Sequence, residues 1–193
     1  MPNHCYNQVN LMGDATTVAL CAAYLTAFEK DEDGERSQFE FRNVIPEPDG
    51  FVDEEGSVIP GWYAWRVENW GTKWAAWNIH VSEYQQLGNG DVLLSFSFIT
   101  AWSPCLPVID ALAEKWPSLK VHHSWTEEFG QFSGWTYYED GERVEQIDAR
   151  FDLYTASALM DPVECMSHFE SYKPNEFSGD AIVISLEGPM TKE

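Results

Sequence analysis

The sequence predicts an α+β fold, because segments with the alternating pattern of strands flank two segments with the spacing of amphipathic helices. The clearest alternation is V-L-L-S-F-S-F-I at residues 92–99, where large apolar residues and serines take turns. The clearest helical stripe consists of Val108, Ile109, Leu112, Ala113 and Trp116. Hydrophobic residues make up 44% of the 193 residues, so the chain can form a substantial core and one main domain is expected.

A strand followed by a helix opens the chain. Residues 5–12 alternate and predict the first strand, and Asp14 is placed to cap the helix that follows. The stripe of that helix consists of Val18, Cys21, Ala22, Leu25 and Phe28. The helix is expected to end near Lys30, before an acidic run. Phe39 and Phe41 alternate with charged residues and predict a second strand.

Residues 62–77 read W-Y-A-W-R-V-E-N-W-G-T-K-W-A-A-W and hold five of the nine tryptophans. They follow a loop predicted at 46–61 from its prolines and glycines. The segment itself predicts a short helix, a left-handed cap at Gly71 and then a strand. Trp70 and Trp74 flank that glycine, and large indoles at such a junction are expected to pack in the core.

The same segment offers an alternative, in which some of the tryptophans line a pocket. The polar groups of that pocket would be Glu68, Asn69, Lys73 and His80. A Glu–Lys pair desolvated beside indoles has shifted pKa values, so the pocket is the hypothesis for an enzyme or a small-ligand binder. The commoner role of such Asn and Glu residues is to satisfy backbone groups at a turn.

A hairpin and a second helix are predicted next. Asn89-Gly90 is a strong signal for the turn of a hairpin whose second arm is the serine-containing strand described above. Ser103 is placed to cap the second helix with Pro104 at its first position, and Pro117 is expected to end it.

Three further strands are predicted before the signal weakens. They occupy residues 119–126, 129–138 (with Gly130 and Gly134 as possible bulges) and 143–150, the last two joined by the turn E-D-G at 139–141. A short helix at 161–169 and a last strand at 181–186 complete the prediction.

These elements predict a ferredoxin-like arrangement with an elaborated middle. Two long helices would cover one face of a mainly antiparallel sheet. The expected division is one α+β domain over residues 1–150, with the Trp-rich segment 62–77 inserted, and a C-terminal appendage over 151–193 that packs on it.

The chain is strongly acidic, with 32 acidic and 11 basic residues and a net charge of −21. This balance disfavours direct binding to nucleic acid and to anionic membranes, because both need clustered Lys and Arg. It favours attraction to a basic partner surface. The apolar runs are too short to span a bilayer and the N-terminus has no leader pattern, so a cytoplasmic location is expected.

Neither a metal nor another cofactor is predicted. The four cysteines have neither C-x-x-C spacing nor zinc-ligand spacing to a histidine. His122 and His123 lie near Glu127 and Glu128, but adjacent residues on a strand point to opposite faces, so the two imidazoles cannot easily share one ion.

Several stretches resemble the YubB-like proteins encoded by phages and plasmids. They are M-P-N-H-x-x-N-x-V at the start, W-R-V-E-N-W-G-T-K-W, F-I-T-A-W-S-P at 98–104, P-V-I at 107–109 and E-E-F-G-Q-F-S-G at 127–134. The resemblance covers roughly residues 1–150. It implies a ferredoxin-like C-terminal domain and a mobile-element origin, and it assigns no activity to individual residues.

The acids concentrate in residues 31–56 and 127–152. They form either a solvated surface or a face that mimics DNA and occupies a basic channel. The second hypothesis predicts an inhibitor of a host nucleic-acid-binding defence, such as a CRISPR or restriction assembly, whose partner is a basic protein or ribonucleoprotein surface. The candidate partner-binding residues are Glu127, Glu128, Glu139, Asp140, Glu142 and Glu145, followed by Asp53, Glu54 and Glu55.

Overall fold

One antiparallel sheet organises the fold. The computed structural model describes residues 3–27, 30, 34, 37–48, 61–150 and 182–184. The strands in this part of the chain are β1 His4–Gly13, β2 Trp77–Val81, β3 Gln85–Gln86, β4 Val92–Ala101, β5 Lys120–Glu127, β6 Phe132–Glu139, β7 Glu142–Arg150 and β8 Ile182–Ile184. Their order is β2-β4-β1-β5-β6-β7-β8, with β3 also paired to β4. The mainly antiparallel sheet is therefore confirmed.

Four helices belong to the described part: α1 Ala15–Leu25, α2 Phe41–Val44, α3 Trp62–Trp70 and α4 Leu106–Lys115. Val18 of α1 and Ile109 of α4 lie in one buried core with Val9 of β1. Both helices are shorter than predicted, since α1 ends at Leu25 and α4 has ten residues. The prediction of two long helices over one face is therefore not confirmed.

The opposite face of the sheet carries a second, smaller apolar cluster. Its members come from alternate positions of the same strands, because successive side chains point to opposite faces. They are Met12, Leu93, Trp135, Tyr137 and Ile147, with Leu87 packed against them.

The predicted strand at Phe39 and Phe41 is wrong. The Glu40 side chain accepts a hydrogen bond from the Arg42 backbone N–H and caps a short helix that begins at Phe41. Both phenylalanines are fully buried, and their rings lie 4.7 and 6.2 Å from that of Phe98. The alternating phenylalanines are therefore core residues, and the Glu40 cap favours a helix over a strand at this point.

The start of α4 also differs from its prediction. Cys105 is the residue before the helix, and Pro107 occupies its first turn. The Ser103 hydroxyl donates to the backbone carbonyl of Gly71 and does not cap the helix. This contact joins two segments that are 32 residues apart, so no local signal could reveal it.

No bulge occurs at Gly134, which stands in an unbroken stretch of the β5–β6 pairing. A Cβ there would lie 2.4 Å from the Ile147 carbonyl oxygen and 2.5 Å from the Trp125 ring. Close approach therefore explains this glycine. The irregularity falls between Tyr137 and Tyr138, opposite β7. Gly130 lies in the turn before β6, at φ 67°.

Other predictions are confirmed. Asp14 accepts from the backbone N–H groups of Thr16 and Thr17, and Asp140 and Gly141 form a left-handed turn between β6 and β7. Strand β8 falls within the predicted last strand and pairs with β7. The predicted helix at 161–169 lies outside the described residues, and the division into a domain and an appendage stays a prediction.

The two adjacent histidines of β5 occupy opposite faces, as predicted. His123 Nε2 lies 3.0 Å from Asn7 Oδ1, and His122 Nδ1 lies 3.3 Å from Asn10 Nδ2. Burial lowers the pKa of His122 to about 4 and that of His123 to about 3. Among the described residues, no group of three His, Cys, Asp or Glu side chains is placed to hold a metal ion.

No described helix is long and apolar enough to cross a bilayer.

Candidate functional site

The stretches that carry the resemblance meet at one end of the sheet. Strand β1 begins there, and both of its antiparallel neighbours end there. His4 is opposite Ala101 of β4, and Cys5 is opposite Glu127 of β5. The C-terminal end of α3 approaches the same place, because Gly71 packs against the segment that links β4 to α4.

Gly71 makes this approach possible. Its backbone is left-handed at φ 77°, as predicted for the helix cap. A Cβ at this position would lie 2.9 Å from Pro107 Cδ and 3.0 Å from the Pro104 carbonyl oxygen. Only glycine satisfies both the conformation and the contact without strain.

Thr72 then fastens the Trp-rich segment to the end of β4. Its hydroxyl donates to the Ala101 carbonyl over 2.9 Å and accepts from the Ala101 N–H over 3.1 Å. Trp102, the residue that follows Ala101, donates its backbone N–H to the Asn3 carbonyl over 2.9 Å. These bonds fix the position of Lys73, which follows Thr72, relative to Trp102, which follows Ala101.

Four aromatic rings surround the ammonium of Lys73 in this geometry. Lys73 Nζ lies 4.6 Å from the ring centroid of Trp74, 5.1 Å from that of Trp102, and 5.8 Å from those of Trp62 and Tyr63. We call these four residues the aromatic cage. Tyr63 is 45% and Trp102 41% exposed, so the cage opens to solvent. Ring faces at such distances attract a cation.

The aromatic surface continues from the cage onto the sheet. Trp77 lies 6.0 Å from Trp74 and 5.7 Å from His4, measured between ring centroids. His4 lies 6.4 Å from Tyr6 and places Nδ1 3.6 Å from a carboxylate oxygen of Glu128. Aromatic side chains from four separate segments thus form one continuous surface.

Trp70 belongs to the core and not to this surface. It is 1% exposed and donates its indole N–H to the Ile45 carbonyl over 3.0 Å. The Arg66 guanidinium lies 5.0 Å from the rings of both Trp70 and Trp62 and forms an ion pair with Glu47. Trp70 is therefore buried as predicted, whereas Trp74 is partly exposed.

The predicted pocket of Glu68, Asn69, Lys73 and His80 does not form. Glu68 and His80 are exposed. The Asn69 side chain donates to the Trp65 carbonyl, one turn earlier in α3. No hydrogen bond or ion pair joins any two of these four in the described structure. Of the predicted pocket residues, only Lys73 lies at the aromatic site.

Glu127 is the first of the predicted partner-binding acids, and it is buried. It is 2% exposed, and its carboxylate accepts from Asn3 Nδ2 and from the backbone N–H groups of Phe129 and Gln131. These bonds fix the turn between β5 and β6, so this carboxylate is not available to a partner. Glu128 beside it is partly exposed.

The other predicted acids in the described part lie at or toward the opposite end of the β6–β7 hairpin. Asp140 and Glu142 are exposed at its turn. Glu139 is in an ion pair with Lys120, with 2.8 Å between the charged atoms. Burial raises the pKa of Glu145, which is partly buried on β7. The two acid groups are separated by the length of β6, so they do not form one face. Asp53, Glu54 and Glu55 lie outside the described residues.

The β6–β7 turn and α4 carry exposed carboxylates at the same end of the molecule. We call Glu114, Asp140 and Glu142 the acidic end. An open cleft of about 500 Å³ is lined by Asp110, Glu114, Tyr138, Gly141, Glu142 and Arg143. Arg143 is in an ion pair with Asp110, and Tyr138 donates its hydroxyl to the same carboxylate. In the described part of the chain, no cation lies within ion-pair distance of Glu114, Asp140 or Glu142.

The site residues predicted from the sequence did not include two residues of the cage, Tyr63 and Trp102. The sequence signal for Trp102 is its place in T-A-W-S-P, part of a stretch that carries the resemblance. The contact between this stretch and W-G-T-K-W is long-range and has no periodicity to reveal it.

Comparison with known proteins supports the ferredoxin-like assignment for the second half of the chain. Residues 76–159 match the family described as the ferredoxin-like domain in Api92-like protein. The chain is also 29% identical over 110 residues to the uncharacterized protein YubB of Escherichia coli strain K12, covering 55% of this chain and 71% of YubB.

A solved structure has a similar fold. The crystal structure of a protein api92 from Yersinia pseudotuberculosis aligns with a TM-score of 0.56 at 8% identity, over 79% of this chain and 99% of that protein. At this identity the likeness concerns the fold alone. Together the matches support a relationship to the YubB-like and Api92-like proteins, and they assign no activity.

Proposed function

We propose that this protein is an acidic interaction protein that binds a basic surface of a host protein or ribonucleoprotein complex. The observation that carries the proposal is the acidic end, where Glu114 of α4 and Glu142 of β7 line one open cleft and Asp140 is exposed at the adjacent turn. With a net charge of −21, long-range attraction would speed association with a cationic surface.

The complex that fits best is a nucleic-acid-binding defence assembly in the host cytoplasm. Such assemblies, of the CRISPR or restriction type, present basic channels for DNA or RNA, and an acidic protein can occupy such a channel in place of the nucleic acid. The proposal includes an origin on a phage or plasmid, where an inhibitor of this kind is useful. The proposed contact consists of Glu142, Asp140 and Glu114, and the buried Glu127 takes no part in it.

The test compares two double charge reversals that change the net charge equally. Glu114→Lys with Glu142→Lys alters the acidic end, and Glu68→Lys with Glu83→Lys alters exposed acids elsewhere. Each pair changes the net charge from −21 to −17, since each Glu→Lys adds two charges and two substitutions add four. A partner captured from bacterial lysate by the parent protein should bind the first variant at least about tenfold more weakly, because each reversal replaces an attraction to the basic surface with a repulsion.

The control variant should bind that partner within about threefold of the parent, because its charges lie away from the contact and are screened over about 8–10 Å. Equal loss in both variants would mean that only the total charge matters, and no loss in either would contradict the proposal. Circular dichroism and thermal melts of all variants check that the fold is retained.

An enzyme built on Glu68, Asn69, Lys73 and His80 has no geometric support, because these side chains do not converge. The small-ligand alternative keeps one supporting observation, which is the placement of Lys73 among four aromatic rings.

A further inference from the structure

We infer that the aromatic cage is a binding site for an alkylammonium group, and that Lys73 is a tethered occupant which this group displaces. The cage residues are Trp62, Tyr63, Trp74 and Trp102. The inference is independent of the acidic end, because the cage uses other elements and another chemistry.

The contents of the cage indicate its chemistry. The ring faces of Trp and Tyr are electron-rich and attract cations. The ammonium of Lys73 occupies the position that four such rings share, at 4.6–5.8 Å from their centroids. Among the described residues no carboxylate lies within ion-pair distance of this ammonium, although the chain has 32 acidic residues. Aromatic faces therefore hold the cation here.

The cage is held in place before any ligand arrives. Trp102 has a left-handed backbone at φ 68°, a conformation that is uncommon for a residue other than glycine. Its N–H bond to the Asn3 carbonyl and the paired bonds between Thr72 and Ala101 maintain that conformation. A strained residue held by surrounding contacts is typical of a binding site.

An external ligand can reach the cage without unfolding the protein. Tyr63 and Trp102 each expose more than two fifths of their surface. Lys73 carries its charge on a flexible four-carbon stem that can swing into solvent. Its compact, strongly hydrated ammonium is a poor match for four rings, whereas a quaternary ammonium is weakly hydrated and needs no hydrogen-bond acceptor. A methylated ammonium should therefore displace it.

The experiment measures the binding of choline by titration of tryptophan fluorescence. Lys73→Ala removes the tethered competitor and should bind choline at least about tenfold more tightly than the parent protein, since an attached group competes at high effective concentration. Lys73→Arg keeps a cation in the cage and should bind as weakly as the parent. Lys115→Ala is the matched control, because Lys115 Nζ lies 4.7 Å from a single ring, that of Tyr24. It should leave choline binding unchanged.

Two further measurements identify the interaction, and a third identifies the source of the ligand. Adding Trp102→Leu to Lys73→Ala should remove the gain, because one wall of the cage is lost. The neutral isostere 3,3-dimethyl-1-butanol should bind at least about tenfold more weakly than choline, because the cation–π attraction requires the charge. A peptide containing trimethyllysine distinguishes the source: tighter binding than choline indicates a protein side chain, and equal binding indicates a small-molecule quaternary ammonium.

The inference is overturned if folded Lys73→Ala shows no saturable binding of choline, if the neutral isostere binds equally well, or if Trp102→Leu leaves the binding unchanged. The parent protein provides an independent measurement that needs no variant. Near-saturating choline should shift the indole N–H resonances of Trp74 and Trp102 and leave that of the buried Trp70 in place. The absence of these shifts would also overturn it.

Discussion

At the scale of single residues, the site depends on a few residues that fix the backbone around it. Gly71 lets α3 end against the segment before α4, and Thr72 then bonds twice to the backbone of Ala101. Glu127 fixes the neighbouring turn from within. None of these residues contacts the cage centre, yet each determines where a cage ring or its support lies.

Gly71→Ala should lower the free energy of unfolding by about 2–5 kcal/mol. The added methyl group meets a strained left-handed backbone and a contact below 3 Å with Pro107. Gly90→Ala is the matched control, since Gly90 has φ 92° but no atom within 4 Å of its added Cβ. It should cost about 1–2 kcal/mol, the strain alone. Urea unfolding measures both, and equal losses would show that the contact with Pro107 is unimportant.

Glu127→Gln should lower the free energy of unfolding by about 1–3 kcal/mol. The carboxylate accepts three hydrogen bonds in a buried position, and an amide NH₂ group in its place would face a donor. Glu142→Gln alters an exposed carboxylate and should change stability by less than about 0.5 kcal/mol. If Glu127→Gln is as stable as the parent protein, the turn between β5 and β6 does not depend on this carboxylate.

At the scale of elements, β5 places two neutral histidines at the centre of the sheet. Their pKa values, about 4 for His122 and about 3 for His123, lie below the value of about 6.5 expected in the unfolded chain. Between these limits the unfolded chain binds more protons than the folded protein. The free energy of unfolding therefore falls as the pH drops below 6.5.

Stability should thus decrease by up to about 1.4 kcal/mol per pH unit for each histidine between about pH 6 and pH 5. The pKa values of Asp14 and Glu40 are also lowered, but their contributions are lost only at more acid pH. His123→Gln should reduce the slope of the free energy of unfolding against pH, which urea unfolding at several pH values measures. Measurement at pH 8, where both imidazoles are neutral in either state, gives the cost of the substitution itself. An unchanged slope would contradict the assignment.

Sequence patterns predicted the elements whose signal is local, and failed where tertiary contacts decided the outcome. The alternation at 92–99 gave β4, and Asn89-Gly90 gave the hairpin, because both depend on neighbouring residues. Phe39 and Phe41 alternate as in a strand, but burial against Phe98 and the Glu40 cap produced a short helix. The cage was beyond prediction, because its rings come from α3, the loop after it and the end of β4.

At the scale of the whole molecule, the aromatic cage and the acidic end lie apart in the described part of the chain. The aromatic cage lies at the end of the sheet where β1 begins. The acidic end lies at the other end of the β6–β7 hairpin, at the turn between Glu139 and Glu142. A basic partner could approach the second without covering the first. The two proposed sites are thus testable with separate variants.

The high net charge predicts opposite effects of salt on stability and on binding. The 32 acidic residues outnumber the 11 basic ones, so like charges give a net repulsion within the folded protein. Salt screens this repulsion and should therefore stabilise the fold. Raising sodium chloride from about 0.05 M to about 0.5 M shortens the screening length well below 10 Å. The melting temperature should then rise, while association with a basic partner should slow and weaken.

The two double charge reversals separate these effects. Both carry a net charge of −17, so salt should raise their melting temperatures by similar amounts, and by less than in the parent protein at −21. Only Glu114→Lys with Glu142→Lys should also lose the salt-dependent part of partner binding. A melting temperature that is unchanged or lower in salt would mean that local ion pairs such as Lys120–Glu139 outweigh the general repulsion. The steering proposed for the acidic end is tested separately, by the salt dependence of partner association.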